Sequence, residues 1–466
     1  MSKSYHDNDV VPLTERRSPV TMGLLWITMV TGFPSVLAGF DWFKSGLTLS
    51  QVAICSVLSC LILLMYAIPA NQLGARSGQS FSMLSRRFFG RYGSYLVSIN
   101  VIWMFLAWYG LMAMLLAQGL KGIYHWPIST VVLAAALALV MAFNNFFGFT
   151  GVANFARFVA APIMIVWIGY AFFKAAGGCP ATILGEAPHI PLASALTISS
   201  SFIIGYAVWG NEADYWRYGK PKKRFSLIPV GIALLVGEVF FPMTGWILAR
   251  MSGISESVAA TNFLNQFSLG GISWLAAIVL AATLFAANDS VLFGSVSSFE
   301  NLWPCKHKVA VGLVATVGAC LAAWFSSFGF MKVFESVASL NCILLPTPTV
   351  IMLTEWFLRE RVFASPPDFS SIPKFDQLPL VRWPAMIALL AGCAVGAVTS
   401  GIIPGMDAFR VGICSLQAWL VAMAVYLPLR MIEHRRSFSF NQASLGHVDS
   451  LVPQEMPREE STVLQQ

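Results

Sequence analysis

The chain has 466 residues, of which 57% are hydrophobic and only 11% are charged, and its mean hydropathy is +0.69. A soluble protein carries about 25% charged residues, so this composition excludes a soluble globular protein and indicates one that crosses a membrane many times. The net charge of +7 does not indicate a nucleic-acid partner, because the basic residues cluster at the ends of apolar segments.

Windows of about 20 apolar residues predict twelve membrane spans, and hence an all-α membrane protein embedded in the lipid bilayer. The predicted spans are 22–46, 49–72, 92–119, 130–147, 154–175, 194–212, 226–249, 271–297, 309–327, 330–353, 383–403 and 408–431. Residues 1–21 are polar and contain no apolar core followed by a cleavage site, so we expect a tail there and no cleaved signal peptide. A second polar tail is expected at 432–466.

The Lys and Arg residues predict the orientation of the chain. Most of the 29 lie in alternate loops, beginning with Arg16 and Arg17 and including the block from Arg217 to Arg224. The positive-inside rule then places both termini in the cytoplasm, for a multi-pass protein of the cell (inner or plasma) membrane. The eight Cys residues show no CxxC and no nearby His pair, so we expect no metal site and no cofactor.

Span 1 contains an irregular point at Gly32-Phe33-Pro34. Pro34 removes a helical hydrogen bond and Gly32 relaxes the backbone, so the sequence predicts a break in mid-membrane. A simple proline kink is the alternative.

Span 3 places Trp108 near mid-membrane, whereas interfacial tryptophans usually lie at the ends of spans. Its indole is either ordinary packing or a stacking platform for a flat ligand, because aromatic faces favour offset stacking.

Span 6 contains the second irregular point, within FIIGYAVWGNEADYWRYGKPKKR (202–224). Gly205 and Gly210 interrupt an apolar helix, Tyr206 and Trp209 flank the interruption, and Glu212 follows it. Lipid cannot hydrogen-bond a broken helix, so such a break persists only where protein or a polar cavity covers the backbone. Two breaks in corresponding places indicate a binding site.

Polar groups inside the later spans are functional candidates, because they are costly in the bilayer. Glu238 lies deep in span 7, and the Asn288-Asp289 pair lies at mid-depth in span 8. Hydrogen bonding to a neighbouring span is the alternative for Glu238. Pro346 and Pro348 predict that the inner half of span 10 is not a regular helix.

The two breaks also suggest an internal symmetry, since spans 1 and 6 each begin a set of five spans. An inverted five-plus-five repeat, with substrate at the midplane beside two discontinuous helices, accounts for this arrangement. The predicted units are 22–175 and 194–353 for the two repeats, and 383–431 for two peripheral helices.

The segments that carry a family resemblance are ADYWRYGKPKK (213–223), ANDSVLFGSVSSFENL (287–302), RSGQSFSMLSRRFFGRYGSYL (76–96) and FVAAPIMIVWIGY (158–170). They resemble the nucleobase–cation symporter family, which includes the cytosine, purine and allantoin permeases. The resemblance implies the inverted-repeat fold, alternating access, and a flat heterocycle held between an aromatic on span 3 and one on span 6.

The resemblance also implies site residues in the first repeat and in span 8. Trp108 matches the stacking aromatic of span 3, and Gly32 and Phe33 match the unwound part of span 1. Asn288 matches a hydrogen-bonding position of span 8.

The span 6 aromatic is ambiguous. An ungapped match places Gly205 there, with the aromatics Phe202, Tyr206 and Trp209 close by. We favour Tyr206 and Trp209 as substrate contacts. The Gln that precedes the span 3 aromatic by one turn in bacterial cytosine permeases is Phe105 here, so cytosine itself is not implied.

A second departure concerns the coupling ion. Sodium-coupled members place hydroxyl residues where this chain has Ala286 and Ala287, and Thr283 is the only nearby hydroxyl upstream. We therefore expect coupling to H⁺ rather than Na⁺. The candidate proton carriers are Glu212, Glu238, Asp289 and Glu335.

The expected function is secondary active import of a nucleobase or related flat heterocycle of the cytosine or purine class by cation symport. Allantoin, a hydantoin or a pyrimidine vitamin precursor fits the same flat polar ring, and a non-transporting receptor is a remoter alternative. An enzyme is not expected, because no metal motif or nucleophile–base pair accompanies the buried acids. The oligomeric state is left open.

Overall fold

The structure is a computed structural model that describes residues 10–254, 256–369, 372–373 and 375–449. All regular secondary structure in this part of the chain is helical. The outer parts of the two predicted tails, 1–9 and 450–466, lie outside the described residues.

Each predicted span corresponds to one helix or to a pair of helices, and several helices extend beyond the predicted bounds. Spans 1–5 are Pro19–Val30 with Phe33–Lys44, Leu49–Ser77, Phe81–Tyr124, Thr130–Met141, and Gly148–Phe155 with Ala161–Gly177. Spans 6–10 are Leu192–Ala207 with Glu212–Trp216, Arg224–Leu234 with Phe241–Ser252, Ser273–Leu302, His307–Phe325, and Phe330–Leu344 with Pro346–Arg361. Spans 11 and 12 are Trp383–Ser400 and Cys414–Asp449.

Shorter elements connect or interrupt these spans. Helix Ser257–Leu269 lies between spans 7 and 8, and π-helical turns occur at Ala156–Ala160 and Leu235–Phe240. The 3₁₀ helices are Leu13–Glu15, Phe143–Phe147, Ala181–Gly185, Phe375–Gln377 and Asp407–Phe409.

Within the described residues, ten helical segments are long and apolar enough to cross a membrane, and the bent pair of span 1 makes an eleventh. One of them, Thr130–Gly177, has 48 residues and would measure about 70 Å if straight, more than twice a hydrocarbon core of about 30 Å. It turns at Gly148, whose φ of +60° is not helical. This segment therefore contains both predicted spans 4 and 5.

Local sequence signals explain where several helices begin. Ser18 accepts a hydrogen bond from the Thr21 amide at 3.2 Å, and Pro19 occupies the first helical position, where no amide is needed. Thr48 and Gln51 form a reciprocal capping box at the start of span 2.

One expectation for the C-terminal third is wrong. The inner half of span 10 is a regular helix, because Pro346 begins it and Pro348 lies in its first turn, where amides have no helical partner anyway. The helix of span 12 continues to Asp449, so the part of the predicted C-terminal tail that the structure describes is helical.

Span 1 is held against span 7 by contact between their backbones. A Cβ atom on Gly245 would overlap the Val36 carbonyl oxygen, and one on Gly39 would overlap the Pro242 carbonyl oxygen. Small residues at such a crossing let two membrane helices approach closely. Elsewhere, span 8 packs along span 3, and spans 11 and 12 pair with each other beside span 10.

We expect Gly245→Ala to destabilise the protein by about 1–3 kcal/mol, the usual cost of inserting a methyl group into a packed contact. The measurement is the thermal unfolding midpoint of the purified protein. Gly312→Ala on span 9 is the matched control, because the added methyl group would have no atom within 4 Å apart from its adjoining residues and its own helix backbone, and alanine favours a helix. Equal midpoints for the two variants would contradict the backbone contact.

Candidate binding site between two broken helices

The break in span 1 separates helices that end at Val30 and restart at Phe33, bent by 43° to each other. Gly32 is fully extended there, and a Cβ atom on it would lie 2.5 Å from the Tyr206 hydroxyl oxygen. Because Tyr206 belongs to span 6, the two predicted breaks are in contact. The break, rather than the simple kink, is the arrangement present.

The break in span 6 leaves carbonyl groups at the end of its first half, which finishes at Ala207. The Asn341 side-chain amide donates to the Gly205 oxygen at 2.6 Å and to the Val208 oxygen at 3.0 Å. Asn341 lies on span 10, so a neighbouring span supplies the donors that the interrupted helix lacks.

The amide groups on the other side of this break are bound by Glu212. Its Oε1 accepts from the Trp209 amide at 3.0 Å and the Gly210 amide at 3.1 Å, and its Oε2 accepts from the Tyr66 hydroxyl at 2.8 Å. The Thr349 hydroxyl donates to the Gly210 oxygen. Both faces of the break are thus satisfied by protein, as the hydrocarbon core requires.

An aromatic cavity lies where the two breaks meet. Trp108 and Tyr206 pack edge to face with ring centroids 5.6 Å apart, and Phe105 and Trp209 do the same at 5.3 Å. The lining residues are Met29, Phe105, Trp108, Met112, Tyr206, Val208, Trp209, Ala287, Val291 and Asn341. The cavity holds about 20 Å³, which is room for about one water molecule, so a heterocycle enters only when these side chains move apart.

Several polar atoms at this cavity have no hydrogen-bond partner within the described residues. They are the Tyr206 hydroxyl, the Trp209 indole nitrogen and the Asn341 side-chain oxygen. All three side chains are buried. A buried polar group without a partner is costly, so these atoms form a ready set of one N–H donor, one carbonyl acceptor and one hydroxyl.

The structure brings some predicted contacts together and separates others. Trp108, Tyr206 and Trp209 all line the cavity, and Gly32 touches its edge. Phe33 faces a different cavity, where its ring stacks on Trp167 at 6.2 Å.

Asn288 also lies off the cavity, to which span 8 presents Ala287 and Val291 instead. The Asn288 side-chain nitrogen donates to the Tyr109 carbonyl oxygen at 3.1 Å and lies 3.1 Å from the Met141 sulfur. Its side-chain oxygen has no partner in the described part of the chain.

A second, larger cavity of about 350 Å³ opens at the end of the bundle where span 1 finishes. Asp41, Glu335 and Arg410 line it, and Glu335 is exposed. Phe202 and Phe334 form its floor and pack with ring centroids 4.8 Å apart. Glu335 is thus separated from the aromatic cavity by this layer of rings.

The opposite end of the bundle is covered by the segment 10–18. The Val11 amide donates to the Gly78 oxygen at 2.9 Å, and the Arg17 amide donates to the Tyr218 oxygen at 2.7 Å. These bonds join the segment to the end of span 2 and to the loop after span 6.

The remaining two acids differ in their partners. Asp289 is clamped by two side-chain amides, from Asn144 at 2.6 Å and Asn145 at 3.4 Å. Glu238 is fully buried, and neither of its carboxyl oxygens has a partner within the described residues.

Glu238 lies beside the break of span 1. It belongs to the π-helical turn Leu235–Phe240, and a Cβ atom on the preceding Gly237 would overlap Thr31. Single π-helical turns occur frequently at functional sites. Among the described residues no three His, Cys, Asp or Glu side chains are grouped as a metal site would require.

Sequence reasoning missed several residues that build the site. Asn341 is one polar residue in the apolar span 10, and Tyr66 lies in span 2, which looks uniformly apolar in the sequence. Phe334 had no distinguishing signal at all. Phe105 was seen only as a departure from a family pattern, whereas it lines the cavity.

Comparison with protein families and curated proteins gives consistent matches. Residues 11–422 match the family described as "Permease for cytosine/purines, uracil, thiamine, allantoin". The cytosine permeases of Escherichia coli strain K12 and of Escherichia coli O157:H7 are each 22% identical over 450 residues, covering 94% of this chain and 96% of theirs.

Solved structures show the same fold. The nucleobase-cation-symport-1 family transporter Mhp1, closed with bromovinylhydantoin bound, matches with a TM-score of 0.70 at 19% identity, covering 90% of this chain and 94% of that one. Its inward-facing conformation matches with a TM-score of 0.68 at 18% identity, covering 93% and 96%. A Na⁺-coupled sialic acid symporter has a TM-score of 0.61 at 12% identity, covering 92% and 93%. The predicted inverted-repeat transporter fold is confirmed.

We expect Asn341→Leu to leave the Gly205 and Val208 carbonyls without a donor, at a cost of about 1–3 kcal/mol for each group. The measurement is the unfolding midpoint of the purified protein. Ser336→Ala on the same helix is the control, because that hydroxyl is exposed and bonds only to its own helix at Lys332. A wild-type midpoint for the Asn341 variant would show that the break does not depend on this amide.

Proposed function

The chain belongs to the family of permeases for cytosine/purines, uracil, thiamine and allantoin, and from that premise we propose that it imports a nucleobase-like heterocycle by proton symport. It is a multi-pass membrane transporter and not an enzyme. The substrate within the class, the coupling ion and the orientation are the parts that we propose.

The aromatic cavity at the meeting point of the two breaks is the observation on which the substrate proposal rests. Trp108 offers an indole face at mid-membrane, and a flat ring that displaces the neighbouring Tyr206 gains a stacking partner. The free donor on Trp209 and the free acceptor on Asn341 suit a ring whose edge carries both an acceptor and an N–H. Cytosine, uracil and the purines carry such an edge.

Selectivity would follow from the same buried atoms. A ring that lacks either edge group leaves one of them desolvated and unpaired, which discriminates more strongly than a change in apolar size. A hydantoin has a comparable edge, and Mhp1, which shares this fold, was solved with bromovinylhydantoin bound. Hydantoin and allantoin are therefore the second candidate, and a vitamin precursor is a third.

Glu238 is our candidate for the proton carrier. Glu212 is occupied in capping span 6, Asp289 is clamped by amides, and Glu335 is exposed in the second cavity. Glu238 alone of the four is buried without a partner in the described residues. An unpaired carboxylate is costly to bury, so its site suits a carboxyl that takes up and releases a proton as access changes.

Sodium has less support in span 8. Ala286 and Ala287 supply no side-chain oxygen, and the Thr283 hydroxyl donates to the Leu280 oxygen of its own helix at 2.9 Å. Sodium and other hard cations need several oxygen ligands. The proton therefore remains our proposed coupling ion.

In alternating access, the two layers that cover the aromatic cavity would open in turn. Phe202 and Phe334 separate it from the second cavity, and the segment 10–18 covers the opposite end. The positive-inside distribution supports an outward-facing second cavity and cytoplasmic termini in the cell membrane.

We expect Trp108→Ala to weaken substrate binding by about 1–3 kcal/mol, or roughly 5- to 150-fold, because a stacked ring loses its partner. The ligand is first identified by competition for uptake among unlabelled cytosine, uracil, purines, allantoin and hydantoin. The Kd of that ligand is then measured for the wild type and the variant. Trp103→Ala, five residues away on the same helix, is the control because its side chain is 42% exposed on the outside of the bundle. Equal losses in both variants would remove the stacking role.

We expect Glu238→Gln to bind substrate but to lose accumulation driven by a pH gradient, since glutamine keeps the neutral shape and cannot release a proton. Uptake into proteoliposomes is measured with pH and sodium gradients imposed separately. Glu335→Gln, the same chemical change at an exposed carboxylate, should accumulate substrate normally.

Three outcomes would contradict the coupling proposal. Normal pH-driven accumulation in the Glu238 variant would exclude that carboxyl as the proton carrier. Loss of pH-driven accumulation in the Glu335 variant would instead assign the proton carrier to the second cavity. Wild-type uptake that requires sodium and ignores the pH gradient excludes proton coupling altogether.

A further inference from the structure

A groove of about 720 Å³ runs along the outside of the bundle, away from the candidate site, between spans 2, 10 and 12. Its walls are apolar for most of its length, with Met65, Phe357 and Leu420 among the exposed side chains. The stretch of span 2 from Ile62 to Arg76 borders it, a rise of about 20 Å. This matches one leaflet, whose hydrocarbon layer is about 15 Å deep with a headgroup layer beyond.

The groove ends in basic side chains at the level where spans 2 and 10 finish. Arg76, Lys223 and Arg361 line this end, and all three are exposed. The Arg76 guanidinium lies 3.8 Å from a carboxylate oxygen of Glu360, an acidic residue that also lines this end of the groove. Lys223 and Arg361 form no ion pair within the described residues, so the end of the groove is cationic.

We propose that this groove binds one anionic phospholipid, with its acyl chain along the apolar walls and its phosphate between Lys223 and Arg361. Basic pockets between membrane helices bind anionic headgroups in this way. The leaflet is the cytoplasmic one if the orientation proposed above holds, whereas the site itself does not depend on that orientation.

A second copy of the chain fits the groove less well. A two-fold dimer in a membrane would set the same face against itself, so Lys223 and Arg361 would meet the same cations of the other copy. The cores of protein interfaces are depleted in charged residues. A soluble anion alone would leave the long apolar wall without a role.

The groove also reaches the candidate site through one side chain. Tyr66 lines the groove, stacks on Trp419 with ring centroids 5.0 Å apart, and donates its hydroxyl to Glu212. The Trp419 indole nitrogen, buried in the same wall, has no partner in the described part of the chain. A bound lipid therefore contacts the residue that holds the acid capping span 6.

The test measures lipid binding to the purified full-length protein by native mass spectrometry. Phosphatidylglycerol and phosphatidylcholine with identical acyl chains are titrated, and inorganic phosphate is added as a competitor. We expect preferential binding of phosphatidylglycerol, weakened about twenty-five-fold in the double variant K223Q/R361Q, since each basic side chain near an anionic headgroup contributes roughly a five-fold factor. Phosphate should not displace the lipid.

The matched control is K306Q/K308Q, which removes two exposed lysines at the start of span 9, on the same side of the bundle, and should bind phosphatidylglycerol like the wild type. Unfolding midpoints verify that both variants fold. Equal binding of the two lipids, equal loss in both variants, or full displacement by phosphate would overturn the proposal. So would cross-linking of a Leu420→Cys variant into a dimer that excludes the lipid.

Discussion

A helix interrupted inside hydrocarbon must find hydrogen-bond partners for every backbone group that it exposes, because lipid offers none. The break in span 6 meets this demand with side chains from other parts of the bundle. Asn341 donates to the carbonyls, Glu212 accepts from the amides, and Thr349 donates to the Gly210 oxygen. The position of the aromatic cavity follows, since Tyr206 and Trp209 project from the backbone that these bonds fix.

The same demand sorts the acidic residues into different roles. A carboxylate that accepts backbone amides, as Glu212 does, acts as a structural cap, and one held by amides, as Asp289 is, is committed to its neighbours. Glu238 has neither kind of partner in the described residues. Hydropathy alone places all of these acids in or near the membrane, and only their contacts separate them.

Much of the fold could be predicted from the sequence, because long apolar windows and special backbone residues act locally. Gly32 with Pro34 and Gly210 mark the breaks, and Trp108 is conspicuous because it lies far from a membrane interface. The facing direction of Asn288 could not be predicted. Span 8 is mostly buried on all sides, so its pattern does not say which face meets the cavity.

Contacts between segments that are far apart in the sequence could not be predicted either. Asn341 reaches back to span 6 across more than a hundred residues, and nothing around it indicates that partner. In span 10 the sequence was misleading, since Pro346 suggests an irregular helix but in fact begins a regular one. A proline alone does not say whether it ends a helix or starts the next.

The bonds at Glu212 have a mechanical consequence. Its carboxylate ties the interruption of span 6 to Tyr66 on span 2, while Asn341 and Thr349 tie it to span 10. Changing the angle at this interruption would rupture several of these bonds together. We therefore expect spans 2, 6 and 10 to move as a single rigid body during the transport cycle. The conformational change would then occur where these spans contact the remaining helices.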